Sequence, residues 1–75
     1  MPNKLNRLLG ANLQALRKKE QIKQETIAKK LNISVSYVSK IENGKVAITV
    51  VALFNYCKCI GLDIPEIIKI ISDFS

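Results

Sequence analysis

Histidine and tryptophan are absent from this 75-residue sequence, and aromatic residues make up only 5% of it. Without histidine, the commonest general acid or base and a frequent metal ligand are both missing. No serine has a base beside it in an order that would activate a nucleophile. The three glycines, Gly10, Gly44 and Gly61, lie far apart and form no phosphate-cradling loop. Asp63 and Glu66 can share a helical face, although such a pair more often marks a helix start, where negative charge meets the dipole. Enzyme function is therefore not expected. Cys57 and Cys59 form a C-x-C pair, which is neither a zinc spacing nor a redox C-x-x-C. No metal or cofactor is expected, and the two cysteines read as free thiols. On a helix they would point about 200° apart, one toward the core and one outward. No apolar run approaches the roughly 18 residues that span a bilayer. The opening residues also lack the apolar stretch and cleavage site of a signal peptide. A cytoplasmic protein is expected, with no membrane attachment and no small-molecule ligand.

What remains is a single short domain, residues 1–75, with 48% apolar and 24% charged residues. A domain of this size buries only about 60% of its unfolded surface, so its own core is marginal. With so few aromatics, that core must be aliphatic. Twelve Lys and Arg stand against six Asp and Glu, giving a net charge of +6. Their placement says more than their total. Residues 1–45 hold ten cations and three anions, a net +7, whereas residues 46–75 hold two cations and three anions, a net −1. A basic, polar front and an apolar, nearly neutral back suggest two surfaces with different jobs. The charge favours an anionic partner, nucleic acid or membrane surface, and a merely solubilising basic face stays open beside it.

Apolar spacing predicts helices throughout and strands nowhere. Leu5, Leu8, Leu9, Leu13 and Leu16 form a first helical stripe, with Asn3 as a possible cap and an end within residues 17–21. Gly10 interrupts this stripe at a cost of about 1 kcal/mol relative to Ala, which suggests a close neighbour. A second helix runs over about 24–31, with Ile27, Ala28 and Leu31 inward. Asn32 tolerates the left-handed backbone of a helix end. Ser34 is an N-cap for a third helix reaching about residue 43, with Val38 and Ile41 inward and Ser36, Tyr37, Ser39 and Lys40 outward. Gly44 closes it. Two short helices joined in this way form a helix-turn-helix. Thr49 caps a fourth helix to about residue 60, whose stripe is Val50, Leu53, Phe54, Cys57 and Ile60, with Val51 off it. Asp63 starts a last helix with Pro65 in its first turn. Its apolar residues, Ile64, Ile67, Ile68, Ile70, Ile71 and Phe74, cover an arc of about 160°, more than a terminal helix needs for a small core. The excess reads as a self-association surface, or else as a greasy core helix.

On these residues the chain resembles the Cro/phage-repressor type of helix-turn-helix domain, the Xre-like family. The resemblance runs from Leu9-Gly10 to Ile67. It is carried by Leu13, Leu16-Arg17, Gln24-Glu25-x-x-Ala28-x-x-Leu31, Ser34, Val38-Ser39-x-Ile41-Glu42-Asn43-Gly44, Leu53 and Ile60-Gly61. It implies an all-α fold of five helices, lambda-repressor-like, with the helix-turn-helix at about 24–43 and helices at about 49–74 for core and dimerisation. It also implies an ion pair between Arg17 and Glu42, the alternative being two solvated side chains. There are departures. The family often has glycine where this chain has Gln21 and Asn32, often has a basic phosphate-touching residue at Asn12, and usually has proline where Ile48 stands. Ala47-Ile48-Thr49 resembles a segment of the controller proteins of restriction–modification systems.

The resemblance further implies a sequence-specific transcriptional regulator of double-stranded DNA, its third helix in the major groove. Val35, Ser36 and Lys40 then take base-reading positions, with Tyr37 and Ser39 close by. Lys40 would reach guanine, Ser36 would accept or donate, and Val35 would meet a thymine methyl or else be partly buried. Tyr37 would alternatively bond a phosphate. No bidentate Arg, Asn or Gln opens this helix, which leaves a part for DNA shape. Phosphate contacts are expected from Gln24, Lys23, Ser34, Asn43 and Lys45, while Lys18, Lys19, Lys29 and Lys30 read as solvated surface. A homodimer on a palindromic operator is expected, its seam formed by Val51, Ile64, Ile67, Ile70, Ile71 and Phe74. Two other readings stay open. One is an antitoxin that holds a toxin on the apolar C-terminal surface. The other is a basic protein adsorbing to anionic membrane, which leaves the Ser39-x-Ile41-Glu42-x-Gly44 pattern without a purpose.

Overall fold

Five helices follow one another along residues 4–73, which are the residues described by this computed structural model. They are α1 (Lys4–Lys19), α2 (Gln24–Leu31), α3 (Val35–Glu42), α4 (Val50–Cys59) and α5 (Ile64–Asp73), with no strand among the described residues. Asn3 and Phe74, named above as a cap and a seam residue, lie outside them.

Local chemistry sets the boundaries. The Ser34 hydroxyl accepts from the Tyr37 N–H at 3.0 Å and the Thr49 hydroxyl accepts from the Ala52 N–H at 3.0 Å, so α3 and α4 both start on side-chain caps. At the end of α2, Asn32 takes the left-handed conformation (φ 57°), and the Ile33 N–H donates to the Ala28 carbonyl at 2.9 Å. The turn after α1 is built in the same way. Gln21 lies at φ 58°, and the Ile22 N–H donates back to the Arg17 carbonyl at 3.1 Å. Gln21 and Asn32 thus occupy backbone conformations that a glycine takes without strain, which explains why glycine suits both positions; asparagine tolerates that conformation, and nothing in the structure explains the glutamine.

The core gathers a layer from every helix: Leu9 and Leu13 from α1, Ile27 and Ala28 from α2, and Val38 and Ile41 from α3. Leu53, Tyr56 and Cys57 of α4, its cap Ile60 and Ile67 of α5 complete it. Burying an aliphatic side chain of this size contributes roughly 1.5–3 kcal/mol. Helix α3 packs against both α1 and α2, and α2 also packs on α4. Two glycines permit the closest approaches. A Cβ on Gly10 would overlap the carbonyl oxygen of Ile41 and sit 2.8 Å from that of Glu42. One on Gly44 (φ 70°) would sit 2.5 Å from the Cα of Arg7. Helix α1 is thereby seated directly on the end of α3.

The structure corrects two expectations about the back of the molecule. Ile67 is fully buried in the protein's own core, so it is not free to form a seam with a second copy. Val50, placed above on the inner stripe of α4, is 68% exposed. Its place is taken by Tyr56, which is fully buried and follows Leu53 by one turn. Ile70 and Ile71 are half-buried against the core. Val51 (70%), Ile64 and Ile68 remain exposed.

Candidate nucleic-acid interface

Small size at one position lets the two short helices cross. Ala28 is buried where α2 meets α3, and a longer side chain there would push them apart. The turn at Asn32 then brings the chain to Ser34, whose cap fixes the direction in which α3 begins. Val38 and Ile41 bury the back of α3. Val35, Ser36, Tyr37 and Lys40 are exposed, and Ser39 is half-buried beside them. Val35 is 41% exposed and Tyr37 is 44% exposed, so neither is packed away against the corner. Residues 35, 36, 39 and 40 stand at i, i+1, i+4 and i+5, which places them along one face.

One buried carboxylate joins four helices behind this face. The Arg17 Nε of α1 donates to Glu42 Oε2 at 2.7 Å and its Nη2 donates to Oε1 at 3.0 Å, a two-pronged ion pair. Gln24 Nε2 of α2 donates to Oε1 at 3.0 Å, and the Tyr56 hydroxyl of α4 donates to Oε2 at 2.5 Å. The remaining Arg17 Nη1 donates to the Ile22 carbonyl at 2.7 Å, tying the α1–α2 turn to the same centre. Arg17 and Glu42 are 6% and 2% exposed, so a charge left alone here would be costly. Burial works against the charge on Glu42, but the hydrogen bonds from Arg17, Tyr56 and Gln24 outweigh it and hold the carboxyl below its ordinary value. Burial, followed by the Glu42 carboxylate, pushes the Tyr56 phenol well above its ordinary value, so it stays a donor. Tyr56 is the residue that sequence reasoning missed, although Leu53, Tyr56, Cys57 and Ile60 are spaced as one stripe.

The expected phosphate ligands are placed unequally. Lys23 and Lys45 are exposed. Ser34 keeps its hydroxyl proton free to donate, since its oxygen is the acceptor in the cap. Gln24 gives Nε2 to Glu42, and an amide nitrogen has a second N–H to offer outward. Asn43 differs: its Nδ2 donates to the Ser39 carbonyl at 2.9 Å and to the Ser39 hydroxyl at 3.2 Å, and its main-chain N–H also donates to Ser39. A phosphate would have to displace those bonds.

Residues on α1 that were left out of the expected site adjoin it. Gln14, Arg17, Lys18, Lys23, Gln24, Glu25 and Val35 line one open cleft between the end of α1, the start of α2 and the start of α3. Lys18 therefore stands at the edge of the candidate interface and not on an unrelated solvated face. Asn12 instead lines a groove with Leu62, Glu66, Lys69 and Ile70, on the α5 side of the molecule. Position 14, not 12, is the α1 position that shares the cleft with α2 and α3. The period of α1 carried the signal, since residues 14 and 18 are one turn apart.

The sequence matches a family model described as helix-turn-helix over residues 13–67. The chain belongs to the Cro/C1-type helix-turn-helix family. This family is one of DNA-binding regulators and not of enzymes. In helix-turn-helix terms, α2 and α3 are the paired helices, and α1, α4 and α5 support them. A solved structure of similar fold is the clp gene regulator ClgR from C. glutamicum. It aligns with a TM-score of 0.80 at 21% identity, over 95% of this chain and 92% of that one. No curated protein sequence matches the chain. Among the described residues, no group of His, Cys, Asp or Glu could hold a metal ion, and no helix is long and apolar enough to cross a membrane. Burial raises the Cys57 thiol to about 11, so it remains protonated at neutral pH.

Proposed function

We propose that this helix-turn-helix protein is a sequence-specific transcriptional regulator that binds a palindromic operator as a homodimer in the cytoplasm. One observation carries the reading: an N-capped α3 whose back is buried at Val38 and Ile41 while Val35, Ser36, Tyr37 and Lys40 stand exposed at its front. In this reading Val35, Ser36 and Lys40 meet base edges, and Tyr37 and Ser39 adjoin them. Lys23, Gln24, Ser34 and Lys45 hold phosphates, Asn43 joining them only after releasing Ser39. The similarity in fold to a gene regulator supports the regulatory role.

Two copies would place two α3 helices about 34 Å apart, one turn of B-DNA. The seam is drawn from Val51 and Ile64, with Val50 and Ile68 beside them and Ile70 and Ile71 at its edge. Control of a restriction–modification system is the subfamily reading, supported by Ala47-Ile48-Thr49. The test of the phosphate face is a salt titration. Replacing Lys45 by Ala should weaken binding similarly on all sequences and reduce the slope of log affinity against log salt by about 1. An unchanged slope removes Lys45 from the interface.

A further inference from the structure

We propose that Tyr56 is a positioning residue for DNA binding, acting from the core through Glu42 on Gln24. The inference rests on the DNA-binding reading above and adds to it a residue that never touches DNA. Glu42 Oε2 accepts from Tyr56 and from Arg17, and Oε1 accepts from Arg17 and from Gln24. Each oxygen thus has two donors, which is what its lone pairs can take in a buried site. The Arg17 fork holds the carboxylate on one side. Tyr56 and Gln24 hold the outer side of each oxygen, so the carboxylate has one orientation in which all four bonds are made. That orientation directs one N–H of Gln24 inward and leaves the other for the cleft formed with Lys18, Lys23 and Val35.

Tyr56 suits this work because its ring is fully buried and its hydroxyl also lies 3.4 Å from the Leu13 carbonyl, so the phenol has little freedom of its own. Without the hydroxyl, Oε2 keeps Arg17 alone and the carboxylate can turn toward its remaining donors. Gln24 then loses its fixed partner. A buried network of this kind loses more than one pairwise bond when a member is removed.

Tyr56→Phe tests the proposal, since it keeps the ring and removes only the oxygen. Operator affinity would be measured by fluorescence anisotropy for the unmodified protein, Tyr56→Phe, Gln24→Ala and the double variant, each well below its melting temperature. Ile60→Val, a core change that removes no hydrogen bond to the carboxylate, controls for lost stability. Tyr56→Phe is expected to weaken binding about three- to tenfold, with an unchanged salt slope because Gln24 is uncharged and no cation–phosphate contact is removed. In the Gln24→Ala background the same change should cost nothing further, and Ile60→Val should bind normally. The proposal is overturned if Tyr56→Phe binds as tightly as the unmodified protein while Gln24→Ala is weakened. It is equally overturned if the Tyr56→Phe loss persists in full without Gln24, or if Ile60→Val loses as much. Absence of DNA binding by the unmodified protein would instead overturn the functional reading, and this inference with it.

Discussion

At the scale of single residues, Glu42 and Gln21 show how much depends on a few atoms. Glu42 has a folded-state pKa below its unfolded one, so its contribution to stability is complete above the unfolded value of about 4.3 and is lost as pH falls through the folded value. Unfolding free energy from urea titrations should therefore drop between pH 7 and pH 3. Tyr56→Phe should make that drop smaller, because the carboxyl loses a donor and its folded value rises toward the unfolded one. An equal drop in both proteins would show that the hydroxyl does not stabilise the charge. Gln21 carries the opposite lesson. A side chain at φ 58° costs roughly 1–2 kcal/mol, against which glycine's greater freedom in the unfolded chain must be set. Gln21→Gly should gain about 1 kcal/mol and raise the melting temperature by about 4–8 °C. A lower melting temperature would mean that the Gln21 side chain makes up for its backbone strain.

Among the elements, α1 and α3 are held together by what is missing from Gly10. A methyl group there meets the main-chain oxygens of Ile41 and Glu42, which cannot move without disturbing the end of α3. Gly10→Ala should destabilise the domain by about 2–4 kcal/mol, despite alanine's better helix propensity of about 1 kcal/mol, as measured by urea unfolding. A stabilised variant would mean that the helices pack less tightly than described. The elements themselves were largely legible in the sequence. Ser34, Thr49, Asn32 and Gly44 punctuate it by local rules, and α2 falls on the expected 24–31. Sidedness was harder to read. The stripe through Val50 took an apolar residue for an inward one, whereas Val50 and Val51 at the start of α4 are exposed and the polar-tipped Tyr56 is fully buried beside Cys57. Ile67 was misread for a related reason. An arc of isoleucines this wide marks one side of a helix as apolar without saying which part of it faces inward. The cleft that joins Gln14 and Lys18 to α2 and α3 depends on how α1 crosses them, which apolar spacing along one helix does not specify.

For the molecule as a whole, the basic front carries the proposed DNA face on α2 and α3, and the neutral back leaves Val51 of α4 and Ile64 and Ile68 of α5 exposed. The core between them ties both sides to one carboxylate at the end of α3. A small domain reads few base pairs by itself, and two copies related by a two-fold axis double the readout. Lys40 and Ser36 on each α3 would then specify one half-site, and the distance between the two helices would set the spacing. Selection of bound duplexes from a random pool, followed by sequencing, tests this most directly. The account predicts enrichment of an inverted repeat whose half-site centres lie about 10–10.5 base pairs apart, or a multiple of that. Enrichment of an unpaired single site, or of no sequence at all, would contradict it.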